Sequence, residues 1–176
     1  LTLEKLSWQR GKIRGTGDLI VLTSASVWDT HYDADKYLEG RTLTNRGTFT
    51  YSGDELHLQN SGILLNDTGA TMDLISGHTI DGTGTLRNLG SLTRSSGDGT
   101  QTVSIRLENS GSGLIQSGTL TFSGGGTHSG TFEAQAGATL AFGGGTHTLD
   151  ADSAVSAAGT VTCSGGSMTV EGSWNV

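Results

Sequence analysis

The densest collection of chemically capable side chains lies between Trp28 and Gly40, where Asp29, Asp33, Asp35 and Glu39 are interleaved with His31, Tyr32 and Tyr37. Four carboxylates among oxygen-rich neighbours have the chemistry of a calcium loop, and aromatic rings beside carboxylates have that of a sugar site. The plainer reading is a solvated loop whose tyrosines cover the flank of whatever carries it. No EF-hand spacing and no nonapeptide calcium-roll repeat is present. The segment therefore marks a place without naming a ligand.

Other reactive residues are scattered. Glycoside cleavage or polysaccharide elimination needs acids and bases grouped on one exposed face. Asp54, Asp73, Asp150 and Asp152 share no repeat position, and neither Lys nor Arg occurs from Leu107 to Val176. His128 and His147 each follow Gly-Gly-Thr and read as equivalent places in successive repeats, but two nitrogens without a third ligand make a poor metal site. His31, His57 and His78 complete the histidines. HExxH, P-loop, Gly-x-Ser-x-Gly and Cys-x-x-Cys motifs are all absent. The reading is a non-enzyme with no catalytic, cofactor-binding or metal-binding residues assigned.

The elements that position these residues follow from a period. Asn45, Asn66, Asn88 and Asn109 stand 21, 22 and 21 residues apart, each with a glycine two or three residues on. A turn returning every twenty-odd residues is the mark of a solenoid. Beyond Gly111 the same step links Thr119-Leu120-Thr121-Phe122, Thr139-Leu140-Ala141-Phe142 and Thr160-Val161-Thr162-Cys163, each followed by a glycine cluster. Second short strands follow at Thr131–Glu133, Thr148–Leu149 and Met168–Val170, so each coil reads as strand, glycine corner, strand. Alternation then turns Leu120 and Phe122, Leu140 and Phe142, and Val161 and Cys163 inward. Cys163 is expected to fill core space as an inert thiol. Glycine at the corners is expected to supply positive φ. The asparagines are expected to stack inside, amide on amide at about 4.8 Å, pairing polar groups that a tight corner would otherwise strand. Asn66-Asp67-Thr68 also fits the N-glycosylation sequon, which an inward Asn66 would silence.

These features predict an all-β chain, a right-handed parallel β-helix of about eight coils with about 21 residues per coil, spanning 1–176 as one domain. Two stretches, Trp28–Gly40 and Ser95–Thr102, break the period and read as outward excursions on the rod. Thr48-x-Thr50, Ser91-x-Thr93, Thr119-x-Thr121 and Thr160-x-Thr162 put paired hydroxyls outward. Such ranks meet ice on some solenoids, though Asp73 and Ala141 interrupt them here, and Thr is also a favoured exposed strand residue.

Composition narrows the function classes. The chain has 176 residues, 29 of them glycine and none proline, and a formal net charge of −7, too modest to keep it disordered. Without a Lys/Arg cluster nothing displaces phosphate counterions, which argues against nucleic acid. No apolar run reaches the roughly 18 residues of a membrane helix. One cysteine allows no internal disulfide. The opening residue is Leu1, which suggests a piece of a longer protein.

Arg41-Thr42-Leu43-Thr44-Asn45-Arg46-Gly47-Thr48, Asn109-Ser110-Gly111 and Gly118-Thr119-Leu120-Thr121-Phe122-Ser123-Gly124-Gly125-Gly126-Thr127 resemble the repeat arrays of large exported bacterial β-helical proteins, of the autotransporter-passenger and haemagglutinin-like adhesin type. The resemblance runs over most of the chain from Trp8 onward. It implies an extracellular or cell-surface structural or adhesive module: a rigid stalk, an adhesin, or a filament or matrix component. Its implied partners are neighbouring solenoid segments or copies end to end, and surface glycans. It carries no catalytic motif. A carbohydrate-binding or polysaccharide-degrading β-helix and an ice-binding solenoid are the alternatives.

Overall fold

A computed structural model describes residues 1–29 and 34–176. The described chain is an all-β parallel solenoid of about eight coils, about 21 residues per turn. It contains no helix among the described residues, hence none long and apolar enough to cross a membrane.

Each full coil has three strands, one more than the sequence suggests. The coil Thr85–Asn88, Ser91–Arg94, Thr100–Val103 lies under the coil Arg106–Asn109, Ser112–Ile115, Thr119–Phe122, strand on parallel strand. A 16-stranded sheet makes two faces and an 8-stranded sheet the third. The first two faces join through the long strand Asp18–Val27, whose leading half pairs with Thr42–Asn45 and whose trailing half pairs with Thr48–Tyr51. Thr131–Ala134 therefore belongs to the second face, whereas Thr146–Leu149 and Ser167–Val170 belong to the first, in register with Gly126–His128. The three "second strands" of the sequence reading are not equivalent. Ser112-Gly113-Leu114-Ile115 is too small and too polar to announce itself as a strand.

The interior is one continuous apolar column running from Trp8 and Val21 to Leu149 and Val155. Leu120, Phe122, Leu140 and Phe142 are buried as their alternation requires, and Phe132 joins Phe122 and Phe142 from the second face, with ring centroids 5.8 and 5.7 Å away. Cys163 stacks on Phe142 in register but is exposed, which corrects the expected buried thiol. Among the described residues its strand, Thr160–Cys163, is the last of the third-face sheet. The Sγ rests 3.8 Å from the Met168 sulfur.

The asparagine ladder is present and faces inward. Asn45 Nδ2 donates to Asn66 Oδ1 at 2.8 Å, Asn66 to Asn88 at 2.7 Å, and Asn88 to Asn109 at 2.7 Å. Each amide also reaches a carbonyl of a neighbouring coil: Thr71, Ser91, Ser112 and Thr131 respectively. All four asparagines are buried, so the Asn66 sequon is closed in the folded chain.

The glycines beside the ladder are needed for space more than for positive φ. A Cβ on Gly111 would sit 2.1 Å from the Gly90 carbonyl oxygen, and neither residue has positive φ. Positive φ operates at Gly69, where the turn is one residue longer, and, as expected, in the later glycine clusters at Gly125, Gly145 and Gly166.

Candidate functional site

The excursion is shorter than Trp28–Gly40. Lys36–Glu39 is a regular strand of the third face, paired with Gly11–Arg14 below and Leu56–Gln59 above. Likewise only residues 95–99 leave the coil in the second excursion, since Thr100–Val103 is a strand. His31, Tyr32 and Asp33 lie outside the described residues.

The remaining loop residues gather where the second face turns into the third. Lys36 occupies an inward position and is fully buried, its ammonium 3.1 Å from Asp29 Oδ2. Asp29 also accepts the Asp54 amide. Burial pushes the Asp29 carboxyl up, but that amide and the Lys36 ammonium outweigh it and hold the carboxyl below its ordinary value. Gly53 leaves the room these groups need, because a Cβ there would lie 2.6 Å from Lys36 Nζ. Asp54 in turn accepts the Ala34 amide on Oδ2 at 3.1 Å, and Tyr51 donates its hydroxyl to the Asp54 carbonyl at 2.8 Å. Burial pushes the Tyr51 phenol well above its ordinary range, so it stays a donor.

One coil further on, His78 reaches this corner. Its Nε2 is 3.4 Å from Asp54 Oδ1 and its Nδ1 is 3.5 Å from Glu55 Oε1. Ser76 fixes the backbone beneath, donating to the Gly53 carbonyl at 2.6 Å while accepting the His78 amide at 2.9 Å.

A second polar group stands on the third face itself. Lys12, Tyr37, His57 and Asp81 occupy one outward register column in four successive coils. His57 Nδ1 meets Asp81 at 2.5 Å and Nε2 meets Asp35 at 3.6 Å, while Lys12 pairs with Glu39 at 2.8 Å. Both faces of the Tyr37 ring are covered, by His57 with centroids 4.6 Å apart and by the Lys12 ammonium at 4.6 Å. A ring covered on both sides offers no platform for a sugar, which weakens the carbohydrate reading of Tyr37.

His128 and His147 do meet, but diagonally. In register His128 follows Asn109 and precedes Leu149, while His147 stacks on Gly126. The offset corrects the equivalence suggested by Gly-Gly-Thr. Their rings lie 5.3 Å apart, with His128 Nε2 and His147 Nδ1 at 3.0 Å, packed against Phe132 and Phe142. Burial, then His147, then Arg106 push the His128 imidazole down to about 3. It is a neutral core pair.

The Thr-x-Thr pairs divide between two faces, with Thr48, Thr50, Ser91 and Thr93 on the second and Thr119, Thr121, Thr160 and Thr162 on the third. On the third face the columns are in strict register: Thr100, Thr119, Thr139, Thr160 in one, and Thr79, Thr102, Thr121, Ala141, Thr162 in the other. Sequence reasoning missed Thr79, Thr100, Thr102 and Thr139 as members. Compared with known protein families, curated proteins and solved structures, the chain matches none of them.

Proposed function

We propose that this chain is a non-enzymatic extracellular or cell-surface segment, a rigid stalk or adhesive spacer that works by joining coil to coil with further solenoid segments or with copies of itself. The observation that carries the reading is the state of the two outermost coils. Leu3, Leu6 and Ile13 at one end, and Val161, Met168 and Trp174 at the other, pack on the core yet are only partly buried. Beside them, among the described residues, run strands with a free edge, whose unpaired amides and carbonyls template another strand. A coil laid on either end would bury the apolar groups and pair the backbone in one step. Sedimentation across a wide concentration range, with negative-stain imaging, tests this. Linear oligomers that grow with concentration are expected, and a strictly monomeric rod at every concentration overturns the end-to-end reading.

A second reading has its own support. The Thr columns from Thr100 to Thr162 make a face without Lys, Arg, Asp or Glu in its outward positions. Hydroxyls there repeat at about 4.8 Å between strands, a periodicity suited to an ordered, uncharged solid such as ice. Ice-recrystallisation inhibition that vanishes in Thr121→Tyr supports it, and its absence in the wild type rejects it.

A further inference from the structure

We infer that Asp54, Glu55 and His78 hold a single divalent transition-metal ion of the zinc class on the corner between the second and third faces. Their donor atoms lie within 4.8 Å of one another, the one such trio among the described residues. Tetrahedral bonds of about 2.1 Å set neighbouring donors roughly 3.4 Å apart. Asp54 Oδ1 already stands at that spacing from His78 Nε2, 3.4 Å, while Glu55 now faces the other ring nitrogen, Nδ1, at 3.5 Å. With one donor atom from each residue within 4.8 Å of the others, a rotation of the partly exposed Glu55 and His78 side chains brings one imidazole nitrogen and both carboxylates onto a common centre. An imidazole among the donors favours zinc-class ions over calcium or magnesium, which prefer oxygen alone.

The support behind these donors distinguishes the corner from an ordinary acidic patch. Asp54 is aimed: the Ala34 amide takes Oδ2, leaving Oδ1 toward His78. The Asp54 amide is held by Asp29, which is itself held by the buried Lys36 ammonium. That ion pair also neutralises the lysine, so an incoming cation does not face a bare positive charge. Outer partners of this kind orient metal ligands and strengthen their binding. His78 and Glu55 remain open to solvent, giving the ion an entry path and leaving the fourth coordination position for water or an external carboxylate. This inference is independent of the stalk reading.

Isothermal titration with zinc chloride on the metal-stripped chain tests it, with calcium chloride as comparator. One zinc per chain is expected, with calcium bound at least tenfold more weakly. His78→Gln and Glu55→Gln should each weaken zinc binding roughly tenfold or more. His57→Gln, which alters the other carboxylate-flanked imidazole, should leave the affinity within about twofold, being outside the trio. Both test positions are partly exposed, so circular dichroism of the metal-free variants should match the wild type. If one fails to fold, the other carries the test. Absence of saturable zinc binding, unchanged affinity in a folded His78→Gln or Glu55→Gln, loss of binding in His57→Gln instead, or tighter calcium than zinc binding would each overturn the assignment.

Discussion

Acid should loosen this rod well before its carboxylates protonate, and the cause is the buried His128–His147 pair. In the folded chain His128 stays neutral down to about pH 3, whereas the ordinary value for an imidazole is 6.5. A depressed folded value means the unfolded chain takes up the proton first. The neutral pair's contribution is therefore intact above about pH 6.5 and is lost as pH falls toward 3. At 1.36 kcal/mol per pKa unit, His128 alone costs about 2 kcal/mol between pH 7.5 and pH 5. The His147 imidazole is also lowered by burial, partly offset by the Gly144 and Phe122 carbonyls, and acts with the same sign. The carboxyls held low by their partners, Asp29, Glu39 and Glu108, lose their stabilisation only at more acidic pH and do not enter this window. Urea unfolding at pH 7.5, 6.0 and 5.0 measures the slope, and the double variant His128→Leu/His147→Leu isolates it. The wild type should lose about 2 kcal/mol or more relative to that variant over the interval. Parallel curves for the two proteins would refute the reasoning, because no buried neutral pair would then be titrating.

Three further outcomes are expected. Asn88→Ala removes its bonds to Asn66, Asn109 and Ser112 and strands Asn109 Oδ1, costing about 3–4 kcal/mol. Asn109→Ala, at the last rung, costs about 2 kcal/mol by the same denaturation assay. Lys36→Met leaves Asp29 without its cation and should destabilise by about 3 kcal/mol, with Lys36→Met/Asp29→Asn recovering much of the loss in thermal melts. Cys163 should react with a bulky aromatic disulfide reagent in the native state without denaturant. In dilute, monomeric protein it should do so faster as pH rises toward 9, because the thiolate is the nucleophile and partial desolvation raises the thiol above its ordinary value.

The parts of the molecule legible in the sequence are those that repeat with one side-chain chemistry. Asn45 to Asn109 advertised both the period and their own inward placement, because an amide ladder needs the same residue in every coil. The third strand of each coil stayed hidden because the outward residues and corner lengths vary, from the five residues between Arg94 and Thr100 to the two between Ala157 and Thr160. The same variation concealed the corner cluster. Asp54 and His78 are 24 residues apart and His57 and Asp81 also 24, off the 21–22 step that the asparagines keep. The fold places Lys36 at an inward position, although by type it belongs on the surface. The Trp28–Gly40 segment reads most plainly as a solvated loop, with calcium or sugar binding as sharper options. Its described residues Asp29 and Lys36 join the polar corner, Tyr37 and Glu39 prop up a sheet face, and nothing in the sequence ties Asp54, Glu55 and His78 together.

Because every coil pairs with its neighbours through strands running across the rod, the backbone hydrogen bonds point along its length. A pull on the two ends loads them one coil at a time, as in an opening zipper, so the peak force is set by a single coil and not by the whole stack. Each coil occupies about 4.8 Å of rod but stores about 21 residues of chain, or roughly 70 Å when drawn out. Such a rod resists bending while intact and yields under tension in long, even steps, a tether that pays out line instead of snapping.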